Sequence, residues 1–440
     1  MQKVLSKISD DMDSKNINRT QLVKRIDIDG ATLSRFLKGK HQLVFNKYGI
    51  ILKEVYPDDV NARRSFCRKY SSVLKRQGNK KIAVYYLLAH GELDTVAELL
   101  NETTIKHDWE KVCRLIYLRY KGDLSGDGLL KVYKEKVEGI KSKNVEFEIL
   151  KGIVLLHIRY DQKNYKSMIR LSEELHEKVE ELEDNYAKEF LKFKIQEATI
   201  YGLLTCNEIP RLRSVCHEII NDESSDMLFP IFKATAYGVL GESYIFTDYH
   251  KSLGYLNAAA SIITNGPGDQ MMKRKNMILN TIDFLKIHWK IDLDNINPKD
   301  EVEKAYLEIQ KGNCEKAISI LEDVIKDKGK LSAFGLAYLG IAKGNDPQIL
   351  SDALDLFERS SDIFYSYLAK KNLGIMSQKC YNLVGWCYMK KVLALVTTLA
   401  LAGALYVYPA KDQNEQPKQV AKDAQTQTLL LKMSDPGTGI

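Results

Sequence analysis

Seven side chains near the N-terminus, Arg19, Thr20, Thr32, Ser34, Arg35, Lys38 and Lys40, gather hydrogen-bond donors and positive charge into one short stretch. Guanidinium and ammonium groups grip phosphate oxygens, and an arginine projecting from a helix can read a guanine edge through two parallel hydrogen bonds. The charge balance agrees. Residues 1–81 carry 19 lysines and arginines against 8 acids, so the rest of a chain that is +7 overall sums to −4. A local excess of this kind attracts a polyanion, with the phosphate backbone of a nucleic acid the usual candidate. A solvated basic face on a small helical cap would give the same counts.

The remaining chemistry-bearing residues do not assemble into a catalytic motif. The sequence has no Walker loop, no Gly-x-Gly-x-x-Gly and no His-Glu-x-x-His, and its 8 histidines are scattered. A loop starting at Asp123 has a calcium-like beginning, but its twelfth position is Lys134 where a bidentate glutamate is required. Seven cysteines without a Cys-x-x-Cys pair read as reduced, mostly buried thiols. No enzyme activity, metal or cofactor is expected.

The elements that must position the basic residues are short helices. Val4, Leu5 and Ile8, then Leu22, Val23 and Ile26, then Leu33, Phe36 and Leu37, then Tyr48, Ile51, Leu52 and Val55 mark four apolar faces before Pro57. Asp29 stands where an N-cap belongs, and a helix is predicted from Gly30 to about Lys38, stopping at Gly39. The segment from Gln21 to Lys40 resembles the phage-repressor type of helix-turn-helix, with Asp27 replacing the usual turn glycine. That resemblance implies a recognition helix in the major groove: Arg35 reads a base edge with help from Thr32 and Ser34, while Arg19, Thr20, Lys38 and Lys40 hold phosphates.

From about residue 81 to 388 the pattern is helix after helix. Leu240 to Leu256 and Ala305 to Leu321 fit the tetratricopeptide pattern, with weaker copies near Tyr85, His157, Tyr201 and Tyr338. In such repeats Gly241 and Ala317 allow helices to cross closely, and Tyr244 and Tyr249 fill the layer between hairpins. The expected fold class is all-α: a helix-turn-helix bundle (1–57), a basic helical linker (58–80), and a tetratricopeptide-like right-handed superhelix for peptide binding and dimerisation (81–388). Beyond it come a signal-peptide-like apolar segment (389–408), beginning Met-Lys-Lys and containing Ala402-Gly403-Ala404, and a disordered tail (409–440). The apolar run 392–408 could instead tether the chain to a membrane.

Together with the quoted segments Tyr56-Pro57-Asp58, Ala83 to Tyr86, Leu240 to Leu256, Phe284-Leu285 and Trp289, this organisation resembles the arbitrium peptide receptors of temperate phages, the AimR-like transcriptional regulators. The tail resembles the secreted precursor of their peptide, with 435–440 as candidate signal. The resemblance implies a dimeric, peptide-responsive regulator of the choice between lysis and lysogeny, cytoplasmic over residues 1–388, with a double-stranded operator, a short peptide and a second copy as partners. It places the ligand at Tyr201, Thr205 and Glu242; we add Lys233, Phe284 and Lys311, with Glu242 for the peptide amine and Lys233 or Lys311 for a carboxylate. The family's groove arginine has no counterpart near Ile231. Dimerisation is expected around 363–386, through Phe364, Tyr365, Tyr367, Leu368, Leu383 and Val384, although a hydrophobic end-cap would read alike. The rival reading is a Rap-type receptor, also tetratricopeptide-built, that inhibits a partner protein without touching DNA.

Overall fold

The computed structural model describes residues 1–101, 106–263 and 269–375, so the expected signal-like segment and tail, together with Leu383 and Val384, lie outside the described residues. The described residues form helices and connecting turns with no strand. Five helices make the N-terminal part: α1 (Gln2–Ser14), α2 (Arg19–Arg25), α3 (Gly30–Leu37), α4 (Phe45–Val55) and α5 (Val60–Ser71). The first four match the four apolar faces, which bury Leu5, Ile8, Leu22, Leu33, Phe36, Tyr48 and Ile51 in one core.

Stretch 58–80, expected as a linker, is helical but is no free tether. Helix α5 buries Phe66, Cys67 and Tyr70. The Tyr70 ring packs on Phe36 and Phe45, each at 5.8 Å between centroids. Phe45 in turn meets Tyr86 of α6 (Gln77–His90) at 5.4 Å. Asn79 completes the junction, accepting from the Phe45 amide and donating to the Leu43 carbonyl, both at 2.7 Å. Head and repeat region therefore share one core.

From α6 onward helices pair through tight turns: α7 (Leu93–Leu99) follows α6, then α8 (Asp108–Lys121) with α9 (Gly126–Tyr133), α10 (Val145–Asp161) with α11 (Tyr165–Glu180), and α12 (Tyr186–Thr205) with α13 (Ile209–Asn221). A short α14 (Glu223–Leu228) precedes the pair α15 (Pro230–Glu242) and α16 (Tyr249–Ile262). Then come α17 (Asp269–His288), the pairs α18 (Glu301–Gln310) with α19 (Cys314–Lys328) and α20 (Ala333–Ala342) with α21 (Pro347–Arg359), and α22 (Tyr367–Asn372). First helices of successive pairs also lie side by side, α6 on α8, α8 on α10, α10 on α12 and α12 on α15. That ladder makes a superhelix out of hairpins.

Local chemistry explains the starts and stops. Asn144, Asn164, Asn185 and Asp248 each accept a hydrogen bond from a backbone amide of the helix they precede, satisfying donors that would otherwise be orphaned. Lys163 at φ +58 and Asn207 at φ +61 turn the chain between paired helices in the left-handed region, which asparagine tolerates better than most side chains.

The crossing at Gly241 bears out the expected close approach. A methyl group added there would lie 2.8 Å from Leu256 Cγ and 3.0 Å from the Ser252 carbonyl oxygen. Ser252 Oγ also donates to the Gly241 carbonyl at 2.8 Å. Gly254, on the exposed side of α16, has nothing within 4 Å of the same added methyl. Gly241→Ala should cost about 1–3 kcal/mol through overpacking, whereas Gly254→Ala should stabilise by roughly 0.5–1 kcal/mol through lost unfolded-state entropy. Urea denaturation midpoints of the two variants would show opposite shifts.

Candidate functional site

The head contains the expected two-helix arrangement. Asp27 sits at φ +48 between α2 and α3, the left-handed conformation that the missing glycine would have adopted freely. Lys47 holds the turn, donating to the Asp27 carbonyl at 2.7 Å and pairing with its carboxylate at 3.7 Å. Asp29 caps α3 by accepting from the Thr32 amide and hydroxyl, both at 2.7 Å. These bonds, the hydroxyl's first, hold its carboxyl below the usual range.

With Leu33, Phe36 and Leu37 turned inward, the helical period places Ala31, Arg35 and Lys38 on the outer face of α3. Arg35 donates to Thr32 Oγ1 at 3.0 Å, so the hydroxyl, the cap and the guanidinium form one chain. Ser34 is half-buried on the flank, and Thr20, Lys38 and Lys40 are exposed. Arg19 differs. Its guanidinium is drawn back to α1, donating to Ser9 Oγ at 3.1 Å and to Asp13 at 2.8 Å, which leaves less of it for a phosphate.

In the repeat region a cleft of about 90 Å³ lies over α12, α15 and α17, lined by Tyr201, Thr235, Glu242, Arg274, Met277 and Thr281 among others. Beneath its polar wall is a buried ionic cluster. Glu197, 4% exposed, accepts from Tyr120 at 3.1 Å, from Thr235 at 3.2 Å and from two Arg274 nitrogens at 3.2 and 3.3 Å. Its fourth partner is the equally buried Lys194 amine. Burial pushes the Glu197 carboxyl up, but Lys194 and Arg274 outweigh it and hold the group down at about 2. Burial lowers the Lys194 amine to about 8 against the pull of Glu197.

Glu242 is of the opposite kind. Burial raises its carboxyl to about 7, against a bond from the Tyr365 hydroxyl and with added repulsion from Asp362. Asp362 is itself raised to about 6 by burial, and its Oδ1 is buried with no hydrogen-bond partner. Burial is the main cause at both carboxyl groups, with Asp362 adding to it at Glu242.

The structure brings Tyr201 and Glu242 to this cleft and distributes the other predicted residues elsewhere. Thr205 lies near the end of α12, and its carbonyl accepts from the Ile363 amide at 2.8 Å. Lys233 starts nine residues before Glu242 on α15, roughly 13 Å of helical rise, and pairs with Asp226 at 2.8 Å. Lys311 pairs with Asp294 at 3.2 Å. Neither lysine shares the cleft with Glu242, so the expected amine-and-carboxylate pairing with these two is corrected. Phe284 is buried in an aromatic group, 5.8 Å from Tyr306 and 6.3 Å from Tyr365 between ring centroids. Phe364 and Leu368, expected at a dimer face, are buried within the chain; Tyr367 stacks on Phe246 at 4.3 Å. Among the described residues these side chains pack within the chain.

Arg274, Lys194, Glu197 and Asp362 were not singled out from sequence. A lysine and a glutamate three residues apart on a helix otherwise rich in Phe, Leu and Ile were a readable signal for the first pair. Arg274 was hidden between Lys273 and Lys275.

Two measurements follow. Replacing Glu197 by Ala strands Lys194 and Arg274 as unpaired charges and should cost about 3–5 kcal/mol, read from thermal or urea unfolding; the stability that Glu197 contributes is complete above pH 4.5 and is lost as pH falls through about 2. For Glu242 the sign reverses. Between 4.5 and about 7 the folded chain retains a proton that the unfolded chain releases, so stability is full below 4.5 and declines as pH rises through 7. Glu242→Gln should flatten that decline in urea midpoints taken across the same pH range.

Comparison with known proteins agrees with this architecture. An uncharacterized protein of Bacillus anthracis is 30% identical over 261 residues, 59% of this chain and 96% of that protein. A solved structure of phAimR with ligand superposes with a TM-score of 0.62 at 20% identity, covering 74% of this chain and 96% of that one. A selenomethionine form of phAimR gives 0.64 at 18%, covering 87% and 99%; at these identities the likeness is one of fold. The model of the AimR transcriptional regulator-like family matches residues 63–374, most of the chain, and the protein belongs to that family.

Proposed function

We propose that this protein is a phage arbitrium receptor: a dimeric transcription regulator whose binding to operator DNA is altered by a short peptide. The observation that carries the DNA half is α3, capped by Asp29 and presenting Arg35 and Lys38 outward on a basic head. Arg35 reads a base edge; Thr20, Lys38 and Lys40 set register on phosphates, with Arg19 bracing α2 against α1.

The peptide half rests on the cleft over α12, α15 and α17. Glu242 with Asp362 takes the peptide's amine, and Arg274 takes a carboxylate through its free edge, supplying from α17 the cation that Lys233 and Lys311 do not supply. Charge of both signs at one groove suits a zwitterionic ligand such as 435–440, Asp-Pro-Gly-Thr-Gly-Ile. Because α17 lies outside the α15–α16 hairpin, a peptide bridging α15 and α17 favours one curvature of the superhelix over another. In a dimer, that curvature sets the separation of the two heads. Losing simultaneous engagement of two half-sites removes avidity of ~10²- to 10⁴-fold.

Calorimetric titration of the protein with that hexapeptide, against a scrambled control, should give saturable, sequence-selective binding that Arg274→Ala weakens at least ten-fold. Equal heats from both peptides would sink the ligand assignment. On duplex DNA selected from a random pool, Arg35→Ala should lose about ten-fold or more at the selected site while Lys38→Ala lowers affinity for all sequences and reduces the salt slope. Failure to enrich any duplex, with peptide binding intact, would favour a receptor that acts on a protein partner.

A further inference from the structure

A second and larger cleft, about 500 Å³, opens where the head meets the superhelix. Helices α4, α5 and α6 form one side; α14, α15 and the end of α16 form the other. Val60, Tyr86, Met227, Pro230, Ile231 and Ile263 give it apolar walls. Its size falls within the range of sites for small organic molecules.

The charges in this cleft do not balance. Lys53, Arg63, Arg64 and Lys233 line it against only Glu92 and Asp226. Both carboxylates are engaged already, Glu92 by Arg64 and Asp226 by Lys233 at 2.8 Å. Arg63 donates to the carbonyls of Tyr56 and Pro57, which satisfies hydrogen atoms but leaves the charge unmatched. Arg64 Nη1 is buried with no hydrogen-bond partner. Lys53 is half-buried and makes no hydrogen bond or ion pair among the described residues; burial and the adjacent Arg63 push its amine below the usual lysine range.

An excess of partly desolvated cations over carboxylates is costly, and a fold that needed only stability would reduce it. We propose that this cleft binds a small organic anion, a phosphate or carboxylate head on an apolar body, with Lys53, Arg63 and Arg64 around the head. The site adjoins the cleft at Glu242 and Arg274, Ile263 lining both, but the two share no charged residue. It stands on its own charges and walls, independently of the peptide and DNA readings. Lys233 and Glu242 occupy opposite ends of α15, so one rigid helix spans both sites. An occupant here also touches α4 and α5 of the head.

The test uses the full chain and four probes by calorimetry: octyl phosphate, octanoate, adenosine monophosphate and octanol. Saturable binding of one or more of the three anions, with octanol silent, is the expected result, and the anion that binds best names the source of the head group. Lys53→Gln should weaken that binding ten-fold or more. The lysine holds no protein group, so the variant should melt as the parent does; Lys233→Gln, which frees Asp226 into the cleft and adds uncompensated negative charge, should weaken binding as well. No saturable anion binding, octanol binding as well as the anions, or an affinity untouched by both substitutions would overturn the proposal.

Discussion

The carboxylate of Glu197 is the interaction on which the superhelix depends. It is one buried negative charge, and its partners come from four helices: Tyr120 from α8, Lys194 from its own α12, Thr235 from α15 and Arg274 from α17. Apolar packing between hairpins is tolerant of small sliding, since leucines and isoleucines have no preferred partner. A carboxylate with every lone pair taken is not tolerant, because a shift of an ångström strands a charge out of water. The cluster therefore fixes how successive hairpins stack beneath the cleft at Tyr201 and Glu242. Tyr120 also lies under the Lys194 amine at 4.3 Å from its ring centroid, so the ring face holds the cation while the hydroxyl bonds both Lys194 and Glu197.

Beside that fixed point sits a deliberately unsettled one. Glu242 accepts from the Tyr365 hydroxyl, while Asp362, whose Oδ1 is buried without a hydrogen-bond partner, adds repulsion to it. The two acid sites thus divide the labour: one is fully satisfied and holds the frame, the other is under-satisfied and ready for a partner. Their opposite protonation tendencies arise from the same burial, and only the presence or absence of cationic neighbours separates them.

Much of this was legible in the sequence because it is local. The four head helices, the cap at Asp29, the left-handed turn at Asp27 and the close crossing at Gly241 each depend on residues within a few turns of one another, and periodicity exposes them. The candidate cleft was legible only in part. Tyr201 and Glu242 could be placed by resemblance, but their companion Arg274 comes from far along the chain, on α17, and no spacing rule links it to them. Lys233 and Lys311 illustrate the converse error: charge alone suggested them, while the acids that occupy them, Asp226 and Asp294, are evident only in three dimensions. The aromatic residues near the end of the described chain were similarly ambiguous, since a buried end-cap and a dimer face have the same composition.

The shared core at Tyr70, Phe45 and Tyr86 carries a mechanical consequence. A DNA-reading head on a flexible tether can accommodate half-sites at many separations, because the tether absorbs the difference. Here Asn79 and the aromatic stack weld α3 to the first hairpin through α4 and α5. The head behaves as the tip of a lever whose arm is the superhelix itself, and small bends deep in the arm arrive at the tip magnified. On the dimeric, DNA-binding reading proposed above, such a lever tolerates little drift in the distance between half-sites: a base pair inserted between them rotates one half-site about the helix axis, and there is no slack segment between head and first hairpin in the described chain to follow it.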